Sequence, residues 1–162
     1  MSARLYFDGD RALVPLANAR GVAVIDTDDA HLVSSRLWRL HTGGYAQCGN
    51  RLNHSLMHRI ILPGCARVDH INGDRLDNRR RNLRAATHTE NLRNSRKNSR
   101  GSSRFKGVSR CKSSGKWRAY IRSGTQVHLG HFATEEAAAR AYDRAALERF
   151  GAFAKLNFPD GA

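Results

Sequence analysis

Residues 67–94 read RVDHINGDRLDNRRRNLRAATHTENLRN. An Asp and a His, Asp69 and His70, stand side by side after a short strand-like approach, ARVDH. Asn72-Gly73 marks a turn directly behind them. Neighbours in a regular strand point to opposite faces. Asp69 and His70 can therefore share one site only where the strand ends, and the turn supplies that ending. NLRAA, starting at Asn82, reads as a second short strand. Thr87, His88, Thr89 and Glu90 form a capping box, with Thr at the N-cap and Glu at N3, which predicts a helix from there to about Arg96. The order is strand, long polar loop, strand, helix. The helix start carries Asn91 and can face the strand end, bringing Asp69 and Asn91 together.

These residue types suit metal-assisted hydrolysis of a phosphodiester. Asp69 and Asn91 offer hard oxygens, which favour one divalent ion, Mg²⁺ or Mn²⁺, over zinc. Two protein ligands leave room for water and phosphate oxygens. A neutral His70 can take the proton of an attacking water, and the Asn82 amide oxygen can hold its other ring nitrogen. The same residues are also common in turns and caps, so spacing alone leaves both readings open. Arg79, Arg80, Arg81 and Arg84 crowd the loop. Beside a phosphate-cutting site they read as phosphate contacts; elsewhere they would be a solvated basic loop. Asn78 reads as loop-shaping, and His58, inside LMHRIIL, as a packed histidine.

Charge points the same way. The chain has 162 residues and a net charge of +14. Arg75 to Arg122 contains twelve Arg and four Lys against Asp77 and Glu90, so this block alone matches the charge of the whole chain. Such a block is an electrostatic footprint for a polyanion. Double-stranded DNA is the expected partner. A membrane is not, because no amphipathic stripe accompanies the charge and no apolar run reaches the roughly 18 residues of a span. RNA has only the charge in its favour, since the aromatic pattern for stacking single-stranded bases is missing.

No small-molecule cofactor is expected. Cys48, Cys65 and Cys111 contain no C-x-x-C pair and read as thiols of a reducing cytoplasm. MSARLYFDGDR lacks the apolar core of a secretory signal, so a cytoplasmic location is expected. Upstream, residues 1–50 read as a β-rich segment built on ALVPL, GVAVID and a hairpin around RLWRLHTGGYAQ. Asp26, Asp28 and Asp29 mark a turn and helix start.

NSRKNSRGSS, residues 94–103, has the composition of a linker. A new pattern begins at Phe105. Trp117, Ala119 and Ile121 alternate with Lys116, Arg118, Tyr120 and Arg122. Val127 and Leu129 alternate with Gln126 and His128. A helix follows, with Thr134 as cap, Glu135 and Glu136 at its positive end and Gly151 as its stop. A three-stranded antiparallel sheet should pack one face on this helix and present a basic face able to enter a major groove. Arg110, Lys116, Arg118, Arg122 and His128 are the contact candidates.

Two resemblances sharpen both halves. His58-Arg59, DHING at 69–73, DNRRRNLR at 77–84 and THTEN at 87–91 resemble the HNH endonuclease family, in particular the phage and intron-associated homing type with a ββα-metal fold. The resemblance implies His70 as general base, Asn82 as the residue that orients it, and Asp69 with Asn91 as metal ligands. Asn91 stands where the letters HNH would place a His, and the nearby His88 is the alternative ligand. KGV at 106–108, GKWRAYIR at 115–122, LGHFATEEAAARAYDRAA at 129–146 and LNFP at 156–159 resemble the APETALA/ethylene-response-factor DNA-binding domain. Ser109 and His128 replace the Arg and Trp common there, so DNA binding is implied but not the plant target.

The expected architecture is α+β. It runs as a β-rich segment 1–50, a nuclease module 51–98, a basic linker 99–104 and a DNA-binding domain 105–160. A metal-dependent, site-preferring DNA endonuclease is the function it implies. A DNA-binding regulator with an inactive nuclease module is the alternative.

Overall fold

ALVPL and GVAVID become neighbouring strands of the first sheet because every second residue is apolar and small enough to pack inward. Strand β1 (Tyr6–Asp8), β2 (Arg11–Pro15) and β3 (Val22–Asp26) form an antiparallel meander. Ala12, Val14, Ala23 and Ile25 are fully buried on one face. The computed structural model describes residues 4–50, 53–95 and 101–159. They divide into two units, one ending at His88 and the other beginning at Thr89. The expected helix end near Arg96 and part of the basic linker at 99–104 lie outside the described residues.

After the Asp-rich turn at Thr27–Asp29 comes α1 (Ala30–Val33). A second antiparallel sheet joins β4 (Trp38–Leu40), β5 (Ala46–Gly49) and β6 (His54–Leu56). LMHRIIL contains α2 (Met57–Ile61), which buries Met57, His58 and Ile61. Trp38 is fully buried, and its indole N–H donates to the Val33 carbonyl at 3.0 Å. The quoted stretch supplies β7 (Val68–His70) and β8 (Leu83–Ala85), paired with Asp69 opposite Arg84 and His70 opposite Leu83. One apolar cluster runs from Ala12 through Trp38 and Met57 to Val68 and Leu83. Residues 1–50 therefore share a core with the β7–β8 hairpin. They also pair with its connector, because the Val24 N–H donates to the Leu76 carbonyl and the Asn78 N–H to the Val24 carbonyl.

The second unit opens with α3 (His88–Arg93), whose first residue ends the first unit. Strands β9 (Val108–Arg110), β10 (Trp117–Ser123) and β11 (Thr125–Phe132) then form an antiparallel sheet in the order β11-β10-β9. Helix α4 (Glu135–Phe150) lies on it. The Thr134 hydroxyl caps the helix by accepting from the Ala137 N–H at 3.1 Å. Ala138, Ala139, Ala141, Ala145 and Ala146 are buried and let the helix approach closely, with Tyr142 and Phe150 as the large anchors. The segment after α4 is tied back by Asp143, which accepts from the backbone N–H groups of Asn157 and Phe158 and from the Asn157 amide. This gives LNFP its physical role. Among the described residues, no helix is long and apolar enough to cross a membrane.

Gly107 is required by close approach. Its φ is +73°, and an added Cβ would lie 1.9 Å from a Tyr142 ring carbon and 2.7 Å from the Tyr120 carbonyl oxygen. Gly107→Ala should destabilise the second unit by roughly 2–5 kcal/mol, combining left-handed strain with overpacking. Denaturant unfolding checks this, and a loss under about 0.5 kcal/mol would mean that the Tyr142 ring is free to move aside.

Candidate active site and candidate nucleic-acid interface

His70 closes β7, and the chain turns at once. The Gly73 N–H donates to the His70 carbonyl and the Ile71 N–H to the Asn82 carbonyl, both at 2.9 Å. Asp69, His70, Asn78 and Asn82 are each at most 6% exposed. The amide of Asn82, expected to orient His70, is engaged by the backbone. Its oxygen accepts from the Asn72 N–H at 3.0 Å, and its nitrogen donates to the Asp77 carbonyl at 2.7 Å. It pins the two ends of the connector together. The residue beside His70 Nε2 is Asn78, whose Oδ1 lies 3.4 Å away, and its amide nitrogen is fixed on the Leu76 carbonyl. Burial holds the His70 pKa below its ordinary value, against the opposing effects of the Asn78 hydrogen bond and the charges of Asp69, Asp74 and Asp77. The imidazole is neutral at neutral pH.

A wall of rings backs this base. His58 meets His70 edge-on with centroids 5.1 Å apart, and Tyr45 lies 5.2 Å from His58 and 5.9 Å from His70. The Arg75 guanidinium covers Tyr45 at 4.8 Å and donates to the Gly43 carbonyl. His58 is thus a packed histidine, as its sequence setting indicates, and what it packs on is the candidate base.

Three of the four arginines expected on phosphate are held by carboxylates. Arg79 forks onto Asp77, with contacts of 2.8 and 2.7 Å, and holds that carboxyl below its ordinary pKa. Arg80 forks onto the buried Asp29, and its backbone N–H donates to Asp26 at 2.7 Å. Arg84 bonds Asp69 Oδ2 through Nε at 2.9 Å and Nη2 at 2.6 Å. Arg81 is exposed and makes no ion pair among the described residues. The Asp cluster near residue 28 is therefore more than a turn signal, because it folds the arginine loop against the first sheet.

Asp69 lies in the first unit and Asn91, half-buried in α3, in the second; His88 is exposed. Among the described residues, no three His, Cys, Asp or Glu side chains gather into a metal-holding group. Asp69 and Asn91 each carry oxygen donors, the kind that hard cations take.

In the second unit the register sorts the basic face. Arg118, Tyr120 and Arg122 oppose His131, His128 and Gln126. Arg110 opposes Trp117, so it leaves from the helix side, where its guanidinium stands 5.7 Å from the Trp117 ring. Ser109 takes the place opposite Arg118, whose Nη2 it receives at 3.3 Å. Lys116 precedes β10 and is exposed. His131 had escaped sequence reasoning. A bulge between Ala119 and Tyr120 shifts the register and puts His131 beside His128, with ring centroids 4.7 Å apart. Gly130, with φ +132°, was the available clue.

The HNH endonuclease family profile matches residues 32–93, and the AP2 domain profile matches residues 103–152. An uncharacterised HNH endonuclease of Acanthamoeba polyphaga mimivirus is 31% identical over 142 residues, covering 83% of this chain and 74% of that protein. This chain belongs to the HNH endonuclease family. HNH nucleases act on DNA and generally use a divalent metal ion. This HNH endonuclease also carries an AP2 domain, a second DNA-acting module. APETALA2-like protein 2 of Oryza sativa subsp. indica is 48% identical over 58 residues, and AP2-like ethylene-responsive transcription factor TOE2 of Arabidopsis thaliana is 48% identical over 61. Those matches cover 35% and 37% of this chain but only 13% of each plant protein.

Two tests follow from this HNH endonuclease's geometry. Burial, then repulsion from His70 and Arg59, pushes His58 down to about 4. An unfolded chain takes up that proton near 6.5, so stability is full above about 6.5 and is lost as pH falls towards 4. The loss is on the order of 2–3 kcal/mol. His58→Gln should flatten this dependence in urea unfolding at pH 7 and pH 4.5; an unchanged dependence would place its origin elsewhere. The second test separates two arginines. Arg80→Ala strands a buried carboxylate but removes a half-exposed partner, so it should cost roughly 1–3 kcal/mol. Arg81→Ala should leave stability within about 0.5 kcal/mol and lower the salt slope of DNA binding by about one. The reverse pattern would put Arg80 on phosphate.

Proposed function

We propose that this chain hydrolyses phosphodiester bonds of double-stranded DNA at a preferred, homing-type site. In this reading His70 activates the water, and one divalent ion, Mg²⁺ or Mn²⁺, sits on Asp69 and Asn91 in a ββα-metal arrangement. The face carrying Arg118, Arg122, His128 and His131 takes part in positioning the DNA. The single observation that carries the reading is the buried His70 at the end of β7, adjacent to Asp69 and held by Asn78.

The ion would supply charge stabilisation at the scissile phosphate and the leaving oxygen. The protein's own residues do the rest. Asn78 Oδ1, 3.4 Å from Nε2, holds the ring. The imidazole takes a proton from water as the water oxygen bonds to phosphorus and the bond to the leaving oxygen breaks. The resulting imidazolium is stabilised by Asn78 and by the charges of Asp69, Asp74 and Asp77, the groups that already oppose the burial effect. Asn82 keeps the connector closed, and Arg84 holds the carboxylate of Asp69.

His70→Ala should slow cleavage by roughly 10²–10⁴-fold, the range for a lost general base, with DNA affinity unchanged. Asp69→Ala should also stop cleavage, and His88→Ala should not. Because the base works unprotonated and its pKa is held down, the acid limb of the wild-type pH–rate profile should lie below about 6.5. Plasmid nicking assays read all of these. Wild-type cleavage by His70→Ala would overturn the assignment of the base, and an inactive His88→Ala would move the metal towards a His ligand.

A further inference from the structure

Helix α3 raises a stability problem. It has six residues, none of them buried, and Leu92 is largely exposed. A helix this short has no stability of its own in water, and here it buries no apolar stripe to compensate. Other groups must hold it, and the second unit supplies them. The Lys106 ammonium donates to the Arg93 carbonyl at 2.5 Å and to the Ser95 carbonyl at 2.7 Å, at the end where helical carbonyls lack partners. The Arg93 guanidinium lies 4.6 Å over the Phe150 ring.

Lys106 is itself firmly anchored. Its N–H donates to Asn157 Oδ1 at 2.7 Å, and its carbonyl accepts from Asn157 Nδ2 at 3.1 Å. Asn157 is fixed in turn on Asp143, which is 1% exposed in the middle of α4. An unbroken chain of hydrogen bonds thus runs from the core of the AP2 domain to the end of α3. The ammonium is half-buried and spent on backbone, unlike the exposed cations of the DNA-facing sheet.

We propose that Lys106 is a positioning residue of the nuclease: by clamping the end of α3 it makes the segment carrying Asn91 part of the AP2 domain. This rests on the reading of Asn91 as a metal ligand. The domain that holds DNA would then also fix one ligand of the cutting centre.

The test uses the full chain with Lys106→Met, Lys106→Arg, Arg93→Ala and Asn91→Ala. Hydrogen exchange without metal reports on α3 directly, including the N–H groups of Asn94 and Ser95, which bond Glu90 and Leu92. Lys106→Met should speed exchange there at least ~tenfold while β10, β11 and α4 stay protected. Arg93→Ala, which removes the contact of α3 with the Phe150 ring, should act in the same direction. DNA affinity measured without metal should be unchanged, while the Mg²⁺ concentration for half-maximal cleavage rises several-fold. Lys106→Arg should restore both. Unchanged exchange in Lys106→Met, or DNA affinity falling in step with cleavage, would overturn the clamp. Wild-type cleavage by Asn91→Ala would overturn the positioning role by a separate route, since Asn91 would then be no ligand.

Discussion

The amide of Asn82 joins the two ends of a connector that would otherwise be a loose basic loop. One side of it receives Asn72, the other reaches Asp77, and its carbonyl takes the N–H of Ile71. Everything placed near β7 depends on that closure. His70 can act as a base only if its ring and its neighbours stay fixed, and Asn78 meets the ring from inside the same connector. Burial then does two things at once. It holds the ring in place and it pushes the pKa of the ring down, so structural order and a preference for the neutral form come from a single cause.

Charge has a divided role in this molecule. The sequence shows one basic block, but the structure splits it into cations that are paired with carboxylates and cations that are not. Arg79, Arg80 and Arg84 belong to the first kind, each forked on a carboxylate. Arg81 makes no ion pair among the described residues, and Arg118 and Arg122 lie on one face of β10. Lys106 is a third kind, a cation given to backbone carbonyls. Net charge indicates a polyanionic partner, and it overstates how many side chains are available for one.

Many elements of both halves were legible in the sequence because their determinants are local, while α2 in LMHRIIL and β6 were not. Alternation in GVAVID and GKWRAYIR, the Asn72-Gly73 turn, the box starting at Thr87 and the cap at Thr134 each act over a few residues, and each produced the expected element. Partners distant along the chain were not legible. Arg80 reaches Asp29 across 51 positions, and no period or motif encodes that contact. Asn78 and Asn82 are both buried amides of one loop, and only the folded connector shows which meets the ring. The sequence makes Arg110 a contact candidate without giving its face, and register with Trp117 puts it on the helix side. His131 was hidden by the bulge, since strict alternation separates residues three apart.

Mapping DNA ends tests the central claim most directly. The full chain would be incubated with a sequence-diverse pool of circular DNA and Mg²⁺, with a parallel sample in EDTA, and all new ends sequenced. Breaks that collect at one preferred sequence and vanish in EDTA are the expected result. Ends no more frequent than in DNA alone at any Mg²⁺ or Mn²⁺ concentration, or breaks that persist in EDTA, would contradict a metal-dependent nuclease built on His70, Asp69 and Asn91.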